Sequence, residues 1–242
     1  MEVTPLSERF SAYMAANDAE NPATPAATVL PLRDGEHGLE ILMVQRNAKG
    51  TFASNWVFPG GKVDPEDYEP GDDILLASRR AASREAHEEA DLVVAETTLV
   101  PYSHWMPPTV VPRRFATWFF ATRAPSGTDG DVTIDGGEIV DHVWVTPAEA
   151  LARHQQGDVE LVPPTWITLN HLAGSANTQQ ALESIADREP PFYLTRMISQ
   201  TPPTVAWHGD AGYESGDADA QGERHRLTMD PGNWILQEPT TS

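Results

Sequence analysis

A cluster of acidic residues on one predicted helix constrains this chain more than any other feature. Residues 84–89 read Arg-Glu-Ala-His-Glu-Glu, so Glu85, Glu88 and Glu89 are spaced i, i+3 and i+4 and share one helical face. Three carboxylates on one face repel one another, and a divalent cation would reverse that repulsion. Because Mg²⁺ and Mn²⁺ prefer oxygen ligands, the cluster predicts a metal site that would receive an anionic, phosphate-bearing substrate.

Composition limits the class of protein. The chain has 242 residues, enough for one large core with appendages, and its formal net charge of −20 argues against binding to nucleic acid or to an anionic membrane. It contains no cysteine, which excludes disulfides, thiolate metal sites and cysteine nucleophiles. No apolar run reaches the ~20 residues of a membrane helix, and no secretory signal is visible. We therefore expect a cytoplasmic protein.

Hydrophobic patterns predict an α/β fold in which helices flank a mixed sheet. Strands and helices alternate without regular βαβ spacing, which favours a mixed sheet over a Rossmann domain. The clearest helix is Ile74–Ala90, with Asp73 as its N-cap and an alanine-rich stripe away from the acids. Further helices are predicted at residues 147–156, 165–172 and 178–188. Strands are predicted at residues 26–32, 39–46, 56–58, 99–105, 115–123 and 139–145.

The C-terminal part of the chain has a different character. Residues 189–242 are rich in proline, glycine and aspartate, so we expect an irregular extension with a few strands. The segments with strand character are residues 205–207, 226–229 and 234–237. The extension would either close over a cleft or mediate dimerisation, and we expect a homodimer.

The residues around the acidic helix resemble a known motif. Phe58-Pro59-Gly60-Gly61 predicts a tight turn, and a loop over residues 64–73 connects it to the helix. Gly60 followed by Glu66, and then Arg84-Glu85-Ala86-x-Glu88-Glu89-x-x-Leu92, resembles the Nudix box of Nudix hydrolases. Downstream, Arg113-Arg114-Phe115 and Gly136-Gly137-Glu138 resemble the flanks of the same domains. The resemblance implies an α/β/α sandwich, and we divide the chain into an N-terminal lead-in (1–23), a Nudix hydrolase domain (24–188) and the extension (189–242).

Two departures from the usual box stand out. Seventeen residues separate Glu66 from Arg84, an enlarged spacing that resembles the subgroup of peroxisomal coenzyme A diphosphatases and their bacterial relatives. This enlargement leaves either Glu66 or Asp67 as the first acidic residue of the box. Asp91, immediately before Leu92, stands where the family usually has glycine. If that position needs a positive φ, aspartate tolerates it better than most residues do.

The resemblance assigns roles to individual residues. Glu85, Glu88 and Glu89 would hold Mg²⁺ or Mn²⁺, with Gly60 beside the metal, and Arg84 would pair with one acid and orient it. Glu138 would be a further ligand or a general base, although a glutamate in a glycine-rich loop is often only a polar surface residue. The residues expected to contact substrate are Gly60, Gly61, Arg46 and Arg114, the arginines because a guanidinium matches phosphate oxygens.

The reaction that the resemblance implies is hydrolysis of a diphosphate bridge by attack of water on phosphorus. The substrate would be a small nucleotide-type molecule, with coenzyme A or an acyl-CoA favoured by the subgroup. ADP-ribose, NADH or a nucleotide sugar is the alternative. A catalytically silent Nudix-fold module that binds a nucleotide is a further alternative from a different class.

Overall fold

The computed structural model describes residues 21–48, 54–125, 132–134 and 136–239, so most of the predicted lead-in lies outside the described residues. The helices of this part are α1 (Ile74–Ala90), α2 (Pro147–Gln156), α3 (Pro163–Leu172) and α4 (Thr178–Ala186). The first strands are β1 (Thr24–Gly35), β2 (Gly38–Arg46), β3 (Trp56–Val57), β4 (Gly60–Lys62), β5 (Val100–Met106) and β6 (Phe115–Arg123). They are followed by β7 (Ile139–Val145), β8 (Phe192–Leu194), β9 (Arg196–Gln200), β10 (Pro203–Ala206), β11 (Arg226–Asp230) and β12 (Asn233–Gln237).

Strand β1 is the centre of an eight-stranded mixed sheet. Its C-terminal end forms an antiparallel hairpin with β2, and its N-terminal part pairs antiparallel with β4. Strand β6 runs parallel to β1, from Thr24 opposite Phe115 to Leu32 opposite Arg123. The main strand order is β3-β2-β1-β6-β5-β8, with β7 paired to β2. The predicted mixed sheet is confirmed.

Helices cover both faces of this sheet. Because side chains alternate along a strand, Val29 of β1 packs on the same side as α1, whereas its neighbour Leu30 packs on the other side. Five alanines of α1 are fully buried against the first face: Ala77, Ala81, Ala82, Ala86 and Ala90. Trp166 of α3 and Ala181 of α4 pack on the opposite face. The predicted α/β/α sandwich is confirmed.

The C-terminal region is more regular than the composition predicts. Strand β8 joins the main sheet beside β5, and β9 to β12 form a second, antiparallel sheet. The three predicted strands are present, but the description as irregular is wrong. Proline and glycine occur in its turns, such as Pro231-Gly232 between β11 and β12, where Gly232 has a φ of 75°. A buried pair of Arg226 and Asp210 further stabilises this region.

None of the helices in the described ranges combines the length and apolar character needed to cross a lipid bilayer.

The ends of α1 agree with the sequence analysis. The Asp73 side chain accepts a hydrogen bond from the Leu76 N–H at 3.0 Å and thereby caps the first turn. At the other end Asp91 has a φ of 54°, and its N–H donates to the carbonyl groups of Ala86 and His87. This left-handed conformation is the one that glycine provides in the usual box, so the structure accommodates aspartate there.

We predict that the left-handed conformation of Asp91 determines how substitutions at this position change the stability of the protein. Asp91→Asn should leave stability nearly unchanged, because asparagine also tolerates a positive φ and the Asp91 pair with His87 is exposed. Asp91→Val should lower the free energy of unfolding by about 1–2 kcal/mol, because a β-branched residue is strained there. Urea unfolding of both variants checks this. Equal stability of the two variants would contradict the expectation.

Candidate active site

A cleft of about 1170 Å³ brings together residues that are far apart in the sequence. At one end its wall carries residues from β2, β4, α1 and the segment before β7, namely Arg46, Gly60, Gly61, Glu85, Glu89 and Glu138. At the other end the wall is formed by side chains of the C-terminal sheet. Arg114 lines the cleft as well, so seven of the predicted site residues share one cavity.

The two glycines form a strand rather than the predicted tight turn. Gly60 and Gly61 belong to β4 and pair with Thr28 and Ala27 of β1. A Cβ on Gly60 would lie 2.4 Å from the Ala27 carbonyl oxygen, and one on Gly61 would lie 2.2 Å from Glu85 Oε1. Neither glycine has a positive φ in the structure. Glycine is therefore needed at these positions because a larger side chain would collide with its neighbours, and not because the backbone adopts a left-handed conformation.

Glu85 and Glu89 project from α1 onto this strand. Their side chains are only 14% and 6% exposed. Glu89 Oε2 accepts the Gly60 N–H at 2.8 Å, and Glu85 lies against Gly61. Burial raises the pKa of Glu85, whereas the hydrogen bond from Arg84 opposes that rise. Placing two ionised carboxylates where they are largely shielded from water costs free energy unless a cation compensates their charge.

Arg84 connects the acidic helix to the loop before it. Its Nε and Nη2 donate to the two carboxylate oxygens of Asp67 at 3.1 and 2.9 Å, and its Nη1 donates to Glu85 at 2.8 Å. Asp67 is buried, whereas Glu66 is exposed. The acid that pairs with the box arginine in this structure is therefore Asp67 and not Glu66.

Glu88 has a different environment from the other two glutamates. Its side chain is 56% exposed and accepts a hydrogen bond from Arg84 at 3.2 Å. It is not part of the cleft wall. Within the described ranges, no three acidic or histidine side chains are grouped closely enough to form a metal site. The structure therefore brings two of the three predicted carboxylates to the cleft, Glu85 and Glu89.

Arg46 lies between two of the predicted acids. Its Nη1 is 3.4 Å from Glu89 Oε1, and its Nη2 contacts Glu138. The Glu138 backbone is held in turn by Asn47, whose N–H donates to the Glu138 carbonyl oxygen at 2.8 Å. A positive charge is thus placed directly beside the carboxylates at the polar end of the cleft.

The two neighbouring arginines at the start of β6 differ in exposure. Arg114 is buried, and its guanidinium donates to the carbonyl groups of Pro107 and Asn21. Arg114 lines the cleft, but these bonds engage its guanidinium within the protein, and its contact with substrate stays a prediction. Arg113 is exposed and also lines the cleft, which makes it the better placed of the two to meet a phosphate.

The comparison with protein families decides the classification. A NUDIX domain model matches residues 22–164, which is more than half of the chain. The chain belongs to the Nudix hydrolase family. Members of this family generally use divalent metal ions.

Two relatives illustrate the similarity. The chain is 27% identical over 167 residues to a Caenorhabditis elegans protein named putative nudix hydrolase 7. That match covers 55% of each chain, so this chain spans about half the length of the curated relative. The crystal structure of a NUDIX hydrolase from Alicyclobacillus acidocaldarius superimposes with a TM-score of 0.61 at 23% identity. The superposition covers 71% of this chain and 100% of the Alicyclobacillus chain, which shows that the two proteins share a fold.

We predict that Asp67, and not Glu66, supports the site. Asp67→Asn should lower the free energy of unfolding by about 1–3 kcal/mol, because the buried Arg84 contacts lose their charged partner. Glu66→Gln is the matched control and should change stability by less than about 0.5 kcal/mol, since this side chain is exposed. Urea unfolding measures both. An effect of Glu66→Gln as large as that of Asp67→Asn would refute the assignment.

Proposed function

We propose that this chain hydrolyses a diphosphate bridge in a small nucleotide-type molecule by attack of water on phosphorus. One observation carries the proposal. Glu89 is buried and Glu85 is largely buried in a cleft, against the closely packed glycines of β4, in a chain that carries the family's box. Buried, adjacent carboxylates that face a cleft suit the recognition of a cation and a phosphate better than they suit stability.

The donor set fits Mg²⁺ or Mn²⁺. Its members are hard oxygens: the carboxylates of Glu85 and Glu89, together with the backbone at Gly60. Glu88 is the next carboxylate along the same helix, and we include it as a ligand that would turn from Arg84 toward the cation. A divalent cation held here supplies a Lewis acid, which neutralises phosphate charge and promotes deprotonation of water.

The remaining residues support the same chemistry. Arg84 orients Glu85 through the 2.8 Å hydrogen bond and is itself anchored on Asp67. Glu138 lines the cleft with a 56% exposed carboxylate, so it can accept a proton from an attacking water. Arg46 beside it offers a positive charge to a phosphate group.

The formal net charge of −20 makes local positive charge important for an anionic substrate. Besides Arg114, whose guanidinium is bound to backbone carbonyl groups, three cationic side chains line the cleft and can provide it: Arg46, Lys62 and Arg113. We propose coenzyme A or an acyl-CoA as the first substrates, because the enlarged box resembles that subgroup. ADP-ribose, NADH and nucleotide sugars are the alternatives. The homodimer and the cytoplasmic location remain predictions.

The test is product analysis by mass spectrometry after incubation with Mg²⁺ or Mn²⁺. The panel would hold coenzyme A, acyl-CoAs, ADP-ribose, NADH, dinucleoside polyphosphates and nucleoside triphosphates. We expect cleavage of at least one member at a diphosphate bridge. Glu89→Gln should reduce that rate about a hundredfold or more, because it removes a buried charge from the site.

Glu183→Gln serves as the matched control, since Glu183 is an exposed glutamate on α4 away from the cleft. Its rate should equal that of the wild type. If the wild type and Glu89→Gln were equally inactive across the panel with both metals, hydrolysis would be refuted. The silent nucleotide-binding module would then be the better account.

A further inference from the structure

One wall of the cleft comes from the C-terminal sheet. The residues of β9 to β11 and the adjoining segments that line it are Thr195, Met197, Val205, Trp207 and Met229. All of them lie beyond residue 164, where the match to the NUDIX domain ends. This wall therefore lies outside the part of the chain that the NUDIX domain model matches.

The register of the sheet explains why these side chains act together. Val205 of β10 pairs with Met197 of β9 on one side and with Leu227 of β11 on the other. Paired residues of antiparallel strands share a face, and residues two positions apart along an extended strand also do so. Met229 therefore lies on the same face as Val205, and this is the face that borders the cleft.

Aromatic rings join this wall to the acidic end of the cleft. Phe58, which precedes the β4 glycines, packs edge-on against Phe119 at a centroid distance of 6.3 Å. Trp105 follows at 6.3 Å from Phe119, and Trp207 lies 5.9 Å from Trp105. These four rings are buried and line a single cavity. A ligand anchored beside Glu85 and Glu89 could therefore extend along an apolar floor.

Two threonine hydroxyl groups of the cleft wall are engaged within the protein. Thr195 Oγ1 accepts the Trp207 Nε1–H at 3.0 Å and donates to the Tyr193 carbonyl group. Thr117 Oγ1 donates to the Phe115 carbonyl group at 3.3 Å. These bonds leave the threonines poorly suited to read the polar edge of a base or sugar. The partly exposed side chains here are Met197 and Met229, which are flexible and adapt to apolar shapes.

We infer that the C-terminal sheet forms a specificity subsite for a nonpolar hydrocarbon substituent of the substrate. Met197 and Met229 contact that substituent, while the diphosphate occupies the acidic end of the same cleft. The inference rests on the proposed function, because it requires that the diphosphate of the substrate bind at the acidic end of the cleft. The substrate class is thereby narrowed to diphosphates in which one arm carries an apolar group several carbons long.

The experiment compares two non-hydrolysable probes by isothermal titration calorimetry in the presence of Mg²⁺. The probes are the methyl and the octyl monoester of methylenediphosphonate, which share the anionic group and differ only in the hydrocarbon. The octyl ester should bind the wild type at least tenfold more tightly, a ratio that requires burial of only about two methylene groups.

The double variant Met197→Gln/Met229→Gln should bind the methyl ester as the wild type does and should reduce the octyl preference to less than about threefold. Ile235→Gln is the matched control, because Ile235 is an exposed residue on β12 of the same sheet outside the cleft wall. It should keep the full preference. Thermal unfolding verifies folding, and Met197→Gln, at a 39% exposed site, replaces the double variant if that variant does not fold.

Equal affinity of the wild type for both esters would overturn the inference and leave the proposed hydrolysis standing. A preference for the octyl ester that survives in the methionine variant would place the subsite elsewhere and would also overturn it. If neither ester bound, the diphosphate site itself would be refuted, and the inference with it.

Discussion

The close approach of α1 to the sheet is the constraint on which the rest of the site depends. Fully buried alanines let the helix lie near the strands, and glycines on β4 leave room for the carboxylates. Gly60 also donates its N–H to the Glu89 carboxylate, so a hydrogen bond joins the backbone of β4 directly to a side chain of α1. A side chain at Gly60 would collide with the β1 backbone, whereas one at Gly61 would displace the Glu85 carboxylate. The contact between α1 and the sheet thus determines both how the helix packs and where the carboxylates of the site lie.

The enlarged box is compatible with this arrangement because arginines anchor the inserted loop. Arg84 binds both oxygens of Asp67, and Arg80 donates to the Asp67 carbonyl oxygen at 2.9 Å and pairs with Asp72. The loop is therefore tied to the helix at both Asp67 and Asp72. The longer spacing changes the connection between the first acid and the arginine but keeps the pair itself.

Local features could be predicted from the sequence and long-range contacts could not. The bounds of α1, its Asp73 cap and the positive φ at Asp91 all follow from signals within a few residues. The pairing of Arg46 with Glu89 and Glu138 joins residues that are 43 or more positions apart, and no local pattern encodes it. The acidic site was thus predictable as a set of residues, but not as the pair of buried carboxylates that the structure presents.

The C-terminal sheet illustrates the same limit. Its strands were detectable by β-prone residues. The buried contact between Asp210 and Arg226 was not, because folding brings these two residues together. The composition alone predicts an irregular extension because proline and glycine are frequent there. Those residues instead make turns, and the sheet contributes a wall of the cleft.

The most direct test of the central claim is the binding of Mn²⁺, followed by the electron paramagnetic resonance signal of the free ion. The account predicts that the wild type removes free Mn²⁺ from solution and that Glu85→Gln weakens this binding about tenfold or more. Glu66→Gln, which changes an exposed carboxylate outside the cleft, should bind as the wild type does. Equal binding by the wild type and both variants would show that the buried carboxylates are not the cation site.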